Sequence, residues 1–335
     1  MHLSDSDPTR SAAPERRSSR KPRHRTAHAM PFGLPRLRTM AAAAVAGPAT
    51  VLTAQMWWVR AKFKLPPDAC GPLSGEVAPP TKLKKLGGRP RNVVFLGDSI
   101  VTGVGCSAEA SKEHGPIMPR RVASTLAEQL GVSVRWTCLG ETGADVRMLN
   151  SRLLPTLQAE AQRADAAGQR IDAIVVMTGL NDIKECFLFA QPVSCNWLRF
   201  GENLTGLLSS VCEVAGCAGC ALLVPGHPIE ATPRFNQFWP LSAAVRGVTH
   251  LWEEQKRLST EAAQAHETAR VAAEGGRGAH PREAHVRFLQ PSSQMVAQLM
   301  DGADYFAADG MHPNDQGYAL WADLIATRLL TDLRE

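Results

Sequence analysis

The sequence predicts an α/β domain with a parallel sheet covered by helices on both faces, and three observations predict it. Short apolar runs of strand length recur at 93–99 (VVFLGDS), 132–140 (VSVRWTCLG), 171–179 (IDAIVVMTG), 220–228 (CALLVPGHP) and 285–291 (HVRFLQP). Segments with helical apolar spacing separate them. Most of the runs are near-continuously apolar, as strands buried on both faces are. Strands alternating with helices give a parallel sheet between two helical layers.

The chain of 335 residues begins with a basic tail. Residues 1–39 hold nine Lys/Arg and three acids, a charge of +6, and no apolar periodicity, so they are expected to be disordered. The whole chain carries +5, which leaves the remainder near −1. The folded part therefore gives no electrostatic reason to expect nucleic acid as a partner.

Residues 40–58 (MAAAAVAGPATVLTAQMWW) carry no charge and lie between Arg38 and Arg60. Nineteen residues match a hydrocarbon core of about 30 Å, and Trp57-Trp58 suit an aromatic belt. A signal anchor with the basic end inside is the leading reading. Gly47-Pro48, the alanine content and the far-side charges Arg60, Lys62 and Lys64 keep two others open: a cleaved signal or organelle transit peptide, and a soluble helix packed on the domain. Membrane anchoring or secretion is the expected localisation, with organelle targeting as the rival. Residues 59–91 read as a spacer, rich in Pro, Gly and Lys from 65 onward.

The domain is expected over 92–335. Its first strand, 93–99, ends in Gly97-Asp98-Ser99. A helix over 116–130 carries Val122, Leu126 and Leu130 four apart. After the second strand, Leu153, Leu154, Leu157 and Ala161 mark a helical face. After the third come Leu204, Leu207, Leu208 and Val211 at i, i+3, i+4, i+7. An insertion of Ala, Glu, Gln and Arg at about 241–284 predicts one or two surface helices and then a Gly-rich loop, 275–281. The last helix, 314–332, would turn Tyr318, Trp321, Leu324 and Ile325 inward, with Pro313 suited to its first position.

The eight cysteines are scattered, and Cys217-Ala-Gly-Cys220 has no second pair or histidines at zinc spacing, so neither a metal nor a redox cofactor is expected. A Cys186–Cys195 disulfide stays open for a lumenal domain. Gly103 and Gly105 fit neither phosphate-loop nor dinucleotide spacing.

Ligands of open α/β sheets bind beyond the carboxyl ends of the strands. There this sequence places Ser99, then Gly140, then Gly179-Leu180-Asn181-Asp182, and, before the last helix, Asp309-Gly310-Met311-His312-Pro313. These pieces suit ester hydrolysis. A serine hydroxyl needs a neighbouring base, which His312 can supply near neutral pH, and Asp309 can fix its tautomer. Ser99 N–H, Gly140 N–H and the Asn181 amide can serve as oxyanion donors, glycine at 140 letting the backbone approach the ligand. Gly97, Asp98, Gly179 and Asp182 are read as supporting residues. Two local alternatives remain at this point: Ser99 as a helix N-cap, and His227 as a satisfied loop histidine rather than a pocket residue.

Gly-Asp-Ser-Ile, an isolated glycine, Gly-x-Asn-Asp and Asp-x-x-His, in that order, resemble the four blocks of the SGNH hydrolase superfamily, the GDSL-type esterases and lipases. The resemblance spans roughly 92–333 and departs at Ile100, where the family name has leucine, and in the length of the 241–284 segment. It implies a flavodoxin-like three-layer α/β/α fold with a five-stranded parallel sheet. It also implies a Ser99–His312–Asp309 triad, an oxyanion hole from Ser99, Gly140 and Asn181, no cofactor, and a small-molecule, lipid or carbohydrate ester as substrate. The basic start, apolar segment and spacer are loosely similar to membrane-tethered members, so membrane association through 40–58 is a further expectation. An acyltransferase to a sugar or lipid hydroxyl would use the same acyl-enzyme. A tethered binding module without turnover is the rival outside enzymes.

Overall fold

A computed structural model describes residues 34–83, 88–188, 196–215, 219–274 and 285–334. Most of the basic tail, Cys195 and with it the Cys186–Cys195 pairing, Cys217 and the 275–281 loop lie outside the described residues. Contacts divide the chain into two compact units, Met1–Ala46 and Gly47–Glu335.

The sheet has six strands: β1 Ser74–Val77, β2 Arg91–Gly97, β3 Val134–Gly140, β4 Ala173–Met177, β5 Ala221–Pro225 and β6 His285–Leu289. Their order is β1-β3-β2-β4-β5-β6. β2 to β6 pair in parallel, the five strands the sequence predicts. The sixth, β1, runs antiparallel on the outer edge of β3. It comes from the stretch read as spacer, where Ser-Gly-Glu-Val shows no apolar run to betray a strand. The spacer reading is corrected for this stretch. Besides the β1 ladder, Cys138 N–H donates to Leu73 O at 2.7 Å and Ala69 N–H to Thr102 O at 3.2 Å. Backbone pairing, not burial of large side chains, holds the segment down, and composition is blind to it.

Successive strand residues face opposite ways, and two cores result. Val94, Leu96, Ile174, Val176, Leu222 and Val224 pack on one side against α4 (Leu154–Ala166), α6 (Trp197–Ala215) and α7 (Leu241–Glu274). Val93, Phe95, Ala173, Val175, Met177 and Leu223 pack on the other against α3 (Ile117–Leu130), α8 (Ser293–Asp301) and α9 (Asp315–Arg334). Two short elements complete the site, α2 (Ser99–Thr102) and α5 (Leu180–Leu188). The expected inner face of α9 is found: Tyr318, Trp321 and Ile325 are buried and Leu324 partly so. Its start differs. Asn314 Oδ1 accepts from Gln316 and Gly317 N–H at 3.0 Å, so Asn314 caps the helix and Pro313 stands outside it.

Two other expectations change. The 241–274 part of the insertion is one helix, and it is no mere surface addition. Its Trp252, Lys256, Ser259 and Glu267 are almost wholly buried. Residues 40–58 fall within α1 (Leu34–Lys62), with Pro48 inside it. In the second unit Val59 is buried in the core, and Leu52, Met56 and Phe63 pack beside it. Gln55 bridges to the domain, its Nε2 donating to Trp239 O at 2.9 Å and its Oε1 accepting from Leu241 N–H at 3.1 Å. For residues 47–58 the arrangement is therefore that of a helix packed on the domain. Among the described residues no helix is long and apolar enough to cross a membrane. The alanine content and the central Gly-Pro lower the mean hydropathy despite the absence of charge.

Candidate active site

The carboxyl ends of β2, β3 and β4 gather the predicted residues. β2 ends at Gly97, paired with Gly140 of β3 and Met177 of β4. The chain then turns into α2. Asp98, not Ser99, caps that helix, its Oδ1 accepting from Ile100 N–H at 3.0 Å. Ser99 is thus the first helical residue, and its Oγ lies 2.9 Å from His312 Nε2.

His312 hangs on the turn before α9. Asp309 Oδ2 meets His312 Nδ1 at 2.5 Å, while Asp309 Oδ1 accepts the backbone N–H groups of Met311 and His312, each at 3.0 Å. Ala307 N–H donates to His312 O at 2.8 Å, and Phe306 bridges Pro313, which closes the turn. Arg234 braces it from outside, its Nε donating to Asp309 O at 2.7 Å and its backbone N–H to Gly310 O at 3.0 Å. Ser99, Asp309 and His312 are each 3% exposed. Burial alone would raise the Asp309 pKa. The hydrogen bond and charge of His312 and the two backbone donors more than offset it and hold the carboxyl below its usual range.

Gly105 explains the Gly-Val-Gly run. Its φ is +95°, and a Cβ there would come within 2.5 Å of Pro313 O. Only glycine lets the loop after α2 lie against the histidine turn.

The oxyanion candidates differ from one another. Gly140 sits at the strand end as expected, but a Cβ there would meet Thr102 Cγ2 at 2.9 Å and Val101 Cγ1 at 3.1 Å. Its missing side chain makes room for α2, which is a different reason from approach to a ligand. Asn181 is buried in α5, and its Nδ2 donates to Asp98 Oδ2 at 3.2 Å and Ala144 O at 2.9 Å. Both amide protons are engaged inside the protein, so donation to an oxyanion requires giving up one of them, and the Asp98 bond is the longer. Asp98 is wholly buried, and burial raises its pKa to about 6 against the lowering by Ile100 N–H and by the charges of His312, Lys256 and Lys184. Asp182 accepts from Val146 N–H at 3.3 Å, and burial, then the neighbouring Asp145, raise its pKa to about 7. Gly179 lies just before α5 with φ +111°, and the Lys256 chain runs beside it.

Sequence reasoning did not find Asp68, Lys256 or Glu253. Thr102 Oγ1 donates to Asp68 Oδ1 at 2.9 Å and contacts Thr142 Oγ1 at 2.7 Å, and Thr142 also bonds Asp68, tying α2 to the loop after β3. Lys256 is 1% exposed, and its Nζ meets His227 Nδ1 and Glu253 Oε1, both at 2.8 Å. A buried lysine on a long helix has no signature in one sequence. The described cysteines Cys106, Cys138, Cys212 and Cys220 are buried and free. Burial raises the thiol pKa of Cys106 to about 11 and those of Cys138 and Cys220 higher still, so these three stay protonated.

Ile100, Met311 and Pro313, the chain neighbours of Ser99 and His312, line an apolar pocket together with Leu180, His227, Phe235 and Trp321, among others. Its cavity volume is about 40 Å³.

A doubly wound α/β domain with a hydroxyl, an imidazole and a carboxylate in hydrogen-bonded series at the carboxyl edge of its sheet has the build of a hydrolytic enzyme. The GDSL-like Lipase/Acylhydrolase family matches residues 95–320. The chain belongs to that family and is a carboxylic ester hydrolase acting on a small-molecule ester. A GDSL-like esterase of Mycobacterium tuberculosis is 28% identical over 288 residues, 82% of this chain and 72% of that one. Among solved structures, Axe2, an acetylxylan esterase from Geobacillus stearothermophilus, is 15% identical with a TM-score of 0.44, over 71% of this chain and 94% of that one. LAE5, an alpha/beta hydrolase enzyme from the metagenome of Lake Arreo, is 17% identical with a TM-score of 0.43, over 72% and 96%.

Proposed function

We propose that Ser99 is the nucleophile, His312 its general base and acid, and Asp309 the residue that orients His312. The observation that carries this is the 2.9 Å approach of Ser99 Oγ to His312 Nε2, with Nδ1 fixed by Asp309. Because Asp309 holds its carboxylate, Nδ1 keeps its proton and Nε2 is left with the lone pair that faces Ser99. Ser99 Oγ attacks the ester carbonyl as its proton passes to Nε2. The tetrahedral oxyanion collapses, and Nε2–H protonates the departing alcohol. Water, deprotonated by His312, then attacks the acyl-enzyme, and the acid leaves as Ser99 regains its proton. Ser99 N–H and Gly140 N–H are the proposed oxyanion donors, joined by Asn181 once its bond to Asp98 is released.

The apolar pocket is the proposed acyl site. At roughly 10–15 Å³ per water-sized volume, about 40 Å³ holds some three waters. That favours a short acyl group. Trp57, 72% exposed, lies close to Arg60 and Lys62 in sequence, and Trp239, 73% exposed, follows Phe238, whose ring meets that of Trp58; the exposed rings support contact with a lipid–water interface. Nothing in the near-neutral folded part favours nucleic acid. Assay of p-nitrophenyl esters from acetate to palmitate, beside Ser99→Ala, tests the reading. Activity concentrated in the short esters and abolished in Ser99→Ala is expected. Turnover that survives Ser99→Ala would remove Ser99 from the chemistry.

A further inference from the structure

His227 follows β5, is 6% exposed, and forms part of the apolar pocket wall, its ring 5.6 Å from that of Trp321. Its two nitrogens have different fates. Nδ1 meets Lys256 Nζ at 2.8 Å. The same Nζ bonds Glu253 Oε1 at 2.8 Å, and Glu253 Oε1 also accepts the His227 backbone N–H at 3.0 Å. Nε2 is buried and meets no hydrogen-bond partner among the described residues.

The pairing fixes the tautomer. An ion-paired lysine ammonium has donors and no acceptor, so Nδ1 must accept and the ring proton must sit on Nε2. Burial first, and the Lys256 charge second, push the His227 pKa well below 6.5, so the ring stays neutral. A buried N–H without a partner is costly, and native structures rarely keep one without a use. Thr232 on the same wall already donates its hydroxyl to Ile229 O at 2.7 Å, and Trp321, also on the wall, carries an indole N–H of its own.

We infer that His227 Nε2–H is a substrate-binding donor, and that the preferred ester carries an oxygen acceptor (ether, hydroxyl or keto) on its short acyl group. The inference rests on the assignment of the apolar pocket as acyl site. Lys256 and Glu253 are then positioning residues that keep the donor pointing the right way. A plain alkyl acyl group of equal length would fill the same space and leave the N–H unmatched, which a polar site rejects more strongly than a hydrophobic one.

Matched ester pairs test it. The p-nitrophenyl esters of methoxyacetate and butyrate, and of 3-methoxypropionate and pentanoate, have acyl groups of equal length. Each kcat/KM is divided by the hydroxide-catalysed rate of the same ester, which removes intrinsic reactivity. The native enzyme is expected to prefer at least one oxygenated ester by about tenfold over its alkyl partner, the scale of one neutral hydrogen bond. His227→Phe should erase that preference, and His227→Gln, which keeps an acceptor for Lys256 and a donor for the pocket, should restore part of it. A normalised native ratio near one for both pairs overturns the inference, even if His227→Phe does not fold. So does a preference that persists in a folded His227→Phe. Turnover of both esters that survives Ser99→Ala would instead overturn the Ser99 assignment, which separates the two failures.

Discussion

Asp309 and His312 stand three residues apart in one turn, and the carboxylate of the first serves both the ring and the backbone of the second. Oδ2 takes the Nδ1 side of the imidazole at 2.5 Å, and Oδ1 takes His312 N–H at 3.0 Å. The same side chain therefore shapes the turn and sets the tautomer. The short spacing Asp-x-x-His is what allows both, because a more distant carboxylate could reach the ring without folding the loop.

Asp309→Asn separates the two tasks. The amide oxygen can still accept the backbone N–H groups, but the amide nitrogen facing the ring would force Nδ1 to accept and put the proton on Nε2. The base would then point a proton at Ser99. We expect kcat to fall by about 10³–10⁴-fold at neutral pH, the scale of a wrong tautomer in such a triad. Circular dichroism should show a native fold. A loss below about tenfold would mean that His312 needs no orienting partner.

Asn181 makes a sharper case, because its amide is already bonded twice. If it turns to the oxyanion in the transition state, Asn181→Ala should lower kcat by about 10²–10³-fold with little change in KM. If its work is to hold Asp98 and Ala144, the change should appear as a lower melting temperature with kcat nearly intact. Steady-state kinetics beside a thermal melt distinguishes the two.

The candidate site was more legible than its supports. Ser99, Asn181, Asp309 and His312 lie in short local blocks, and a block at a strand end announces itself within a few residues. Continuous apolar runs likewise placed β2 to β5 within three residues at either end. β1 was unreadable because a four-residue edge strand held by its backbone needs no apolar pattern. Lys256 and Glu253 reach His227 from 29 and 26 residues further along the chain, and nothing local marks such a meeting. The apolar stretch at 40–58 left several readings open for another reason. Absence of charge suggested lipid, whereas one residue beyond it Val59 is buried in the protein core.

The buried carboxyl of Asp98 predicts a pH signature. Its pKa rises from 3.8 to about 6 on folding, so the folded protein binds that proton more tightly than the unfolded chain. The stability it contributes is complete below 3.8, declines as pH rises, and is gone above about 6. Asp98→Asn has no such group. Measured by urea unfolding, its stability relative to the native protein should improve by about 2.4 kcal/mol as pH rises from about 4 to about 7. Asp309, whose pKa is lowered, acts in the opposite sense in both proteins, while Asp182, raised to about 7 in part by the charge of Asp98, loses that push in Asp98→Asn and adds to the gain at higher pH. Parallel stability curves would show that Asp98 stays ionised in the fold.

The packed half of α1 predicts where the chain can be shortened. Val59 is 2% exposed, and Gln55 bonds both Trp239 O and Leu241 N–H, so Gly47–Lys62 belongs to the folded unit. Residues 47–335 should melt as one cooperative unit. Residues 65–335 would expose the core around Val59 and lose the bridge at Gln55, and should melt several degrees lower, as a loss of about 1–3 kcal/mol implies for a domain of this size. Val59→Ala in the longer chain should cost about 1–2 kcal/mol by itself, from two buried carbons at about 0.8 kcal/mol each. Identical melting of the two truncations would detach α1 from the domain and return residues 40–58 to the role of a separable anchor.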